Sequence, residues 1–242
     1  MSKDAAAELA PNGVLRAAIN MGNFLLVTGK DAAGDPTGVA PDMAREIATA
    51  LGASVVYVPF ARPNALADAA LEGVWDIGLI GAEPARAKDI AFSPAYVEIE
   101  AAYLVPQGSP IAALAEIDRP GVRIAVLAKA AYDLWLERNI VHASLVHANS
   151  AEAVAKLLAD GEADVLAGLK PGLPAEIERL PGARILEGRF TAVQQAVGTR
   201  RENLAGAAFL RGFVEDAKAS GLVARLIERH GVTGRLVVAP PA

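Results

Sequence analysis

Among the charged side chains, Arg86 stands in the setting that most invites chemistry. It lies in DIGLIGAEPARAKDIAFSPAY, residues 76–96, where an apolar run gives way to a glycine, a proline and one arginine ahead of an aromatic turn. A guanidinium is planar and always charged, so it can give a carboxylate two parallel hydrogen bonds. Glu83 and Asp89 flank it at three residues, and that spacing also allows a plain surface ion pair. The run 76–80 reads as a strand, and ligands of open α/β sheets gather at the carboxyl ends of strands. The backbone amides of Gly81 and Ala82 follow that end directly.

Other reactive constellations are weaker. His142, His147 and His230 fall in no metal-ligand spacing such as HExxH and read as surface or core residues. No GxSxG elbow, glycine-rich phosphate loop or dinucleotide fingerprint occurs, and GDPTG at 34–38 reads as a turn. There is no cysteine, hence no disulfide, thiolate nucleophile, cysteine-held metal or lipidated cysteine. A net charge of -5 argues against a nucleic-acid partner, which needs a basic face for its phosphates.

The elements that must hold Arg86 follow from hydrophobic period. Apolar runs at 14–19, 54–60, 76–80, 122–127, 143–148 and 163–168 read as buried strands. Between them, 40–52 sets Met43, Ile47 and Leu51 on one helical face and stops at Gly52. Further helices are expected at 63–73, 130–139 and 150–161, the last capped by Ser150, and two more over 203–221 and 222–231. Strand then helix, repeated, implies a parallel α/β sheet, and the repeat occurs twice, on either side of EAAYLVPQGSP. The 242 residues, 53% hydrophobic, suffice for one large domain or two lobes. No apolar stretch approaches the ~20 residues of a membrane span. MSKDAAAELAPNG has no signal-type apolar core, so either a signal was removed ahead of this numbering or the protein is cytoplasmic.

Taken in order, TGVAPDMAREIATALG, ALADAALEGVWDIGL, EPARAKDIAFSPAY, LLADGEADVLAG and AVGTRRENLAGAAFLRGFVEDAKASG resemble the family 3 solute-binding proteins, the amino-acid-type receptors of bacterial ABC importers. The similarity runs over about residues 12 to 232. It implies an α/β, two-lobed periplasmic-binding-protein (type II) fold with two crossing hinge strands. Lobe 1 would be 12–103 and 198–234, lobe 2 would be 104–197, and the hinge would lie near Leu104–Val105 and Ala196–Val197. It further implies a monomer without cofactor or metal that closes on a small solute, delivers it to a membrane permease and resides in the periplasm.

The resemblance also distributes roles and exposes departures. Arg86 matches the arginine that grips a ligand carboxylate. Glu83 stands where the family often has Thr, either steadying Arg86 or meeting a cationic part of the ligand. In lobe 2 the usual GTT or GST helix start is replaced by Lys129, Ala130 and Ala131. The aspartate that holds an α-ammonium beyond the strand 163–168 is missing from Gly168, Leu169 and Lys170. With Lys129 and Lys170 facing either a ligand or solvent, the pattern points to an anionic organic solute rather than a zwitterionic amino acid. Asn20 and Asn23 match the lobe 1 wall, with loop capping as the alternative. The usual stacking aromatic is absent at Pro63 and Asn64, leaving Phe60, Arg62, Tyr96, Tyr132 and Trp135 as replacements, with Trp135 fitting core packing better. One of Gln194 and Gln195 is expected to face the ligand, since strand neighbours alternate. The runner-up is an enzyme of the cyclohexadienyl or arogenate dehydratase kind on the same fold, with Glu83 as acid. A ligand-sensing domain is a third reading.

Overall fold

Each apolar run of the sequence becomes a strand. Those at Ile77–Gly81, Arg123–Leu127 and Val165–Leu169 are buried along most of their length, whereas the outer strands at Ser54–Phe60 and Ser144–Ala148 have no buried residue, because a neighbouring strand covers only one of their edges. The computed structural model describes residues 3–242. In chain order the first half holds α1 (Lys3–Leu9), β1 (Val14–Asn20), the short pair β2 (Gly29–Lys30) and β3 (Pro36–Thr37), α2 (Val39–Leu51), β4 (Ser54–Phe60), α3 (Pro63–Asp68), β5 (Ile77–Gly81) and β6 (Ile90–Val105). Then follow β7 (Arg123–Leu127), α4 (Ala131–Asn139), β8 (Ser144–Ala148), α5 (Ala151–Ala159), β9 (Val165–Leu169), α6 (Leu173–Arg179) and β10 (Arg184–Ile185). The chain closes with β11 (Thr191–Arg200), α7 (Leu204–Ala219), α8 (Leu222–Arg229) and β12 (Val237–Val238). Among the described residues no helix is long and apolar enough to cross a membrane.

Two units share the chain, the first running up to Glu98 and resuming over Gln194–Ala242, the second being Ile99–Val193. The chain passes from one to the other inside β6 and again inside β11. The boundaries read from the sequence, 103/104 and 197/198, lie further along these same two strands.

In the first unit the strands run β4, β1, β5, β11, with β1 parallel to both β4 and β5 and β11 antiparallel to β5. The face of α2 that carries Met43, Ile47 and Leu51 is buried, and the helix ends at Gly52 in the left-handed region, φ 68°, where glycine is strain-free. On the opposite face Ala18, Leu66, Trp75, Ile80 and Ile90 form one apolar cluster. Gly78 belongs to this packing: a Cβ there would lie 2.9 Å from a Leu66 methyl.

In the second unit the order is β6, β9, β7, β8, with β7 parallel to β8 and β9. The period of two divides its strands between two cores. Ile124, Val126, Val165 and Ala167 pack with Tyr132 and Leu136 of α4, whereas Ala125 and Leu166 pack with Val154 and Leu158 of α5 and Leu173 of α6. Ser150 caps α5 as its sequence suggests, its hydroxyl accepting the Ala153 N–H at 3.1 Å.

The same clamp registers the parallel strands of each unit. Arg16 on β1 gives its backbone N–H and Nε to Asp76 Oδ2 at 2.8 and 3.0 Å and its Nη2 to Oδ1 at 2.6 Å. Arg123 on β7 gives the same three groups to Asp164 at 2.9, 3.0 and 2.8 Å. In each unit the acid directly precedes the strand that lies parallel to the arginine's own. The carboxyl ends of those strands are thereby held level.

Candidate functional site

Parallel strands end together, so β1, β4 and β5 bring Asn20, Phe60 and Gly81 to one edge of the first unit. Just past that edge the Arg86 and Ala87 N–H groups donate to the Glu83 carbonyl, each at 2.9 Å, and lead into a 3-10 turn over Arg86–Lys88 closed by the Asp89 N–H on the Arg86 carbonyl at 3.2 Å. Arg86 is only 6% exposed, and its Nη1 donates to the Gly81 carbonyl at 2.7 Å. Burial lowers its pKa to about 10, opposed by the charges of Glu83 and Asp68. Glu83 is itself 8% exposed. A guanidinium with a carboxylate charge nearby is therefore packed into the carboxyl end of a sheet.

The amides expected beside it differ from each other. Gly81 ends β5 opposite Gln195. The Ala82 N–H, in contrast, donates to the Gln194 carbonyl at 2.7 Å, extending the ladder with β11, and this corrects its assignment as an anion donor. The apolar run ends at residue 80, which leaves this amide free in the sequence, but β11, more than a hundred residues on, prolongs the pairing.

Asn20 and Asn23 shape the loop after β1. Asn20 Oδ1 accepts the Gly22 N–H at 3.2 Å and Asn23 Oδ1 accepts the Leu25 N–H at 3.2 Å, the loop-capping roles that asparagines take in turns. Gln194 Nε2 donates to Glu98 Oε1 at 3.0 Å. Gln195 is buried, and its Oε1 has no hydrogen-bond partner among the described residues. Of the aromatic substitutes, Tyr96 is completely buried in the first unit and so is removed as a stacking surface.

The second unit has its own edge at the carboxyl ends of β7 and β9. Lys129 adopts φ 59°, the left-handed region, where the family pattern has glycine, and its N–H donates to Asp133 Oδ2 at 2.7 Å. Ala130 is the residue ahead of α4 and is buried, as is Tyr132, whose hydroxyl pKa burial drives upward. Burial likewise raises the Asp133 carboxyl, against the Lys129 N–H and His147. Trp135 packs on this core with its ring 5.6 Å from Phe190, in keeping with the packing role.

Lys170 sits in a 3-10 turn after β9, and the structure supplies what the sequence reading lacked: Nζ donates to Glu100 Oε2 at 2.8 Å. Arg189 reaches the other oxygen of Glu100 at 3.5 Å. Glu98 and Glu100 were not singled out from the sequence, although VEIEA shows the signal, two acids alternating with apolar residues on a strand. His147, which reads from the sequence as a surface or core residue, places its Nε2 3.0 Å from Asp133 Oδ1.

The profile of the bacterial extracellular solute-binding proteins, family 3, matches residues 21–233, and the chain belongs to that family. Solved structures agree on the fold, a mixed α/β two-lobed periplasmic-binding-protein architecture. A mutant of ArgBP from T. maritima is 21% identical with a TM-score of 0.72, covering 94% of this chain and 99% of its own. A putative ABC-transporter binding component from Wolinella succinogenes, complexed with lysine, is 20% identical with a TM-score of 0.72, covering 90% and 95%. An ancestral amino acid-binding protein described as a precursor of cyclohexadienyl dehydratase is 21% identical with a TM-score of 0.70, covering 92% and 97%. Among curated proteins none matches the chain.

Proposed function

We propose that this chain is the solute receptor of an ABC importer and takes a small carboxylate-bearing solute, an organic acid or an atypical amino-acid derivative, with Arg86 as its anchor. The observation that carries this reading is the Arg86 guanidinium, 6% exposed at the carboxyl end of β5. A cation so far out of water is costly unless anions surround it, and its flat fork suits a carboxylate. The Gly81 carbonyl and the Glu83 charge hold it in place.

Charge in the second unit supports an anionic ligand. Lys170 and Arg189 both reach the carboxylate of Glu100, so two cations meet there on one acid. No acid stands at 168–170 to receive an α-ammonium. In this reading the lobes hinge within β6 and β11 and close on the solute, Arg86 contributing from the first lobe. The protein works in the periplasm as a monomer and passes its cargo to the permease.

The test is a thermal-shift screen against keto and hydroxy acids, dicarboxylates, aromatic acids, amino acids, prephenate and arogenate, followed by titration of Arg86→Ala with the best ligand. A ligand at about a hundred times its Kd stabilises by roughly 2.7 kcal/mol. Arg86→Ala should then lose about 3 kcal/mol of binding, on the order of a hundredfold, and Arg86→Lys, which keeps charge without the fork, should recover only part. Unchanged affinity in a folded Arg86→Ala protein would remove the anchor. Preference for ordinary zwitterionic amino acids would overturn the anionic reading. A second reading, a dehydratase, has the buried Glu83 beside Arg86 in its favour; turnover of prephenate or arogenate in the same screen, lost in Glu83→Gln, would establish it.

A further inference from the structure

Asp133 and Glu137 lie one turn apart on α4, and His147 lies on β8, the outer strand of the second unit. Two carboxylates at i and i+4 repel one another across a helix turn unless a positive charge stands between them. His147 Nε2 is aimed into that gap, 3.0 Å from Asp133 Oδ1 and 3.6 Å from Glu137 Oε1. All three donor atoms fall within 4.8 Å of one another.

A divalent transition ion held ~2.0–2.2 Å from each donor requires donor separations of ~3 Å in an octahedron and ~3.5 Å in a tetrahedron. The His147–Asp133 separation of 3.0 Å is near the octahedral edge and the His147–Glu137 separation of 3.6 Å near the tetrahedral one, so a small side-chain adjustment brings all three donors onto one ion. Asp133 is already oriented as a ligand would be. It is fully buried, and its Oδ2 accepts the Lys129 N–H at 2.7 Å, which fixes the carboxylate and turns Oδ1 toward the histidine. Glu137 and His147 are half open to solvent, so water has access to the remaining coordination positions.

We infer that Asp133, Glu137 and His147 form a binding site for a divalent transition cation, with Zn²⁺ the ion that one imidazole and two carboxylates suit best. The bound ion ties the first turn of α4 to the outer strand. Through Asp133 it also secures the Lys129 turn. The sequence hides the site because His147 is ten residues from Glu137 and on a different element.

The experiment is calorimetric titration of tag-free, chelator-treated protein with Zn²⁺ alone, beside Mg²⁺ as a control and Co²⁺ followed by visible absorption. One Zn²⁺ per chain is expected, with Mg²⁺ far weaker and a Co²⁺ ligand-field band. Glu137→Gln is isosteric, half exposed and leaves the Asp133–His147 hydrogen bond in place, yet it should weaken Zn²⁺ by more than about tenfold; His147→Ala should abolish the band. Absence of stoichiometric Zn²⁺ binding in the parent overturns the site, and so does equal affinity in Glu137→Gln or a surviving band in His147→Ala. No solute enters the measurement, so its failure leaves the Arg86 reading untouched.

Discussion

The two units use one clamp and finish it differently. Arg16–Asp76 and Arg123–Asp164 repeat the same three hydrogen bonds, but the side chain of Asp76 is 8% exposed and that of Asp164 is 37% exposed. Beyond the clamp, the first unit leads to a buried charge, Arg86, and the second to an exposed lysine in a left-handed turn. The difference teaches that the clamp supplies register only. What the edges do chemically is decided by the few residues that follow each strand.

The comparison can be broken at its stronger end first. Asp76→Ala strands three donors of Arg16 at a nearly closed site; because Arg16 itself stays half in water, a loss of about 2 kcal/mol is expected, read as a lower urea midpoint. Asp164→Ala removes the same bonds from an open site and should cost about 1 kcal/mol or less. Equal losses would show that burial does not distinguish the two clamps.

Acid sharpens the contrast. The Arg123 hydrogen bonds hold the Asp164 carboxyl below its ordinary value. A carboxyl depressed in the folded state contributes its full share above the unfolded pKa of about 3.9 and loses it as pH falls through the folded value. Urea midpoints measured from pH 6 downward should therefore fall less steeply below about pH 4 in Asp164→Asn than in the parent. Parallel curves would exclude Asp164 from the acid limb.

The smallest effect belongs to the turn. Lys129 at φ 59° bears the left-handed penalty of a residue with a Cβ, ~1 kcal/mol, part of which glycine returns as unfolded-chain entropy. Lys129→Gly should raise stability by roughly 0.5 kcal/mol in thermal melts, while any destabilisation would show that the lysine side chain contributes more than its backbone costs.

Much of this fold was readable one residue after another. The six apolar runs all become strands, though those at 54–60 and 143–148 are outer strands and not buried, and the Met43, Ile47 and Leu51 face, the Gly52 stop and the Ser150 cap appear as read, because period and capping are local properties of the chain. Elements with weak local signals escaped: α1, the β2–β3 pair, and α6, marked only by Pro174 in its first turn. The long course of β6 escaped too, since Pro94 interrupts its pattern and antiparallel partners sustain it.

The site was legible in part. Arg86 stands out by its neighbours, and its location just beyond the end of β5 follows from the strand run that precedes it. The sequence could not say that Ala82 donates to Gln194, that Glu100 pairs with Lys170 across 70 positions, or that His147 meets Asp133 and Glu137. By itself the sequence determined where helices and strands form, because hydrophobic period and caps act within a few residues. Only the tertiary structure decided which charges are buried and which donors are already engaged, because desolvation and hydrogen bonding depend on neighbours brought in from distant strands.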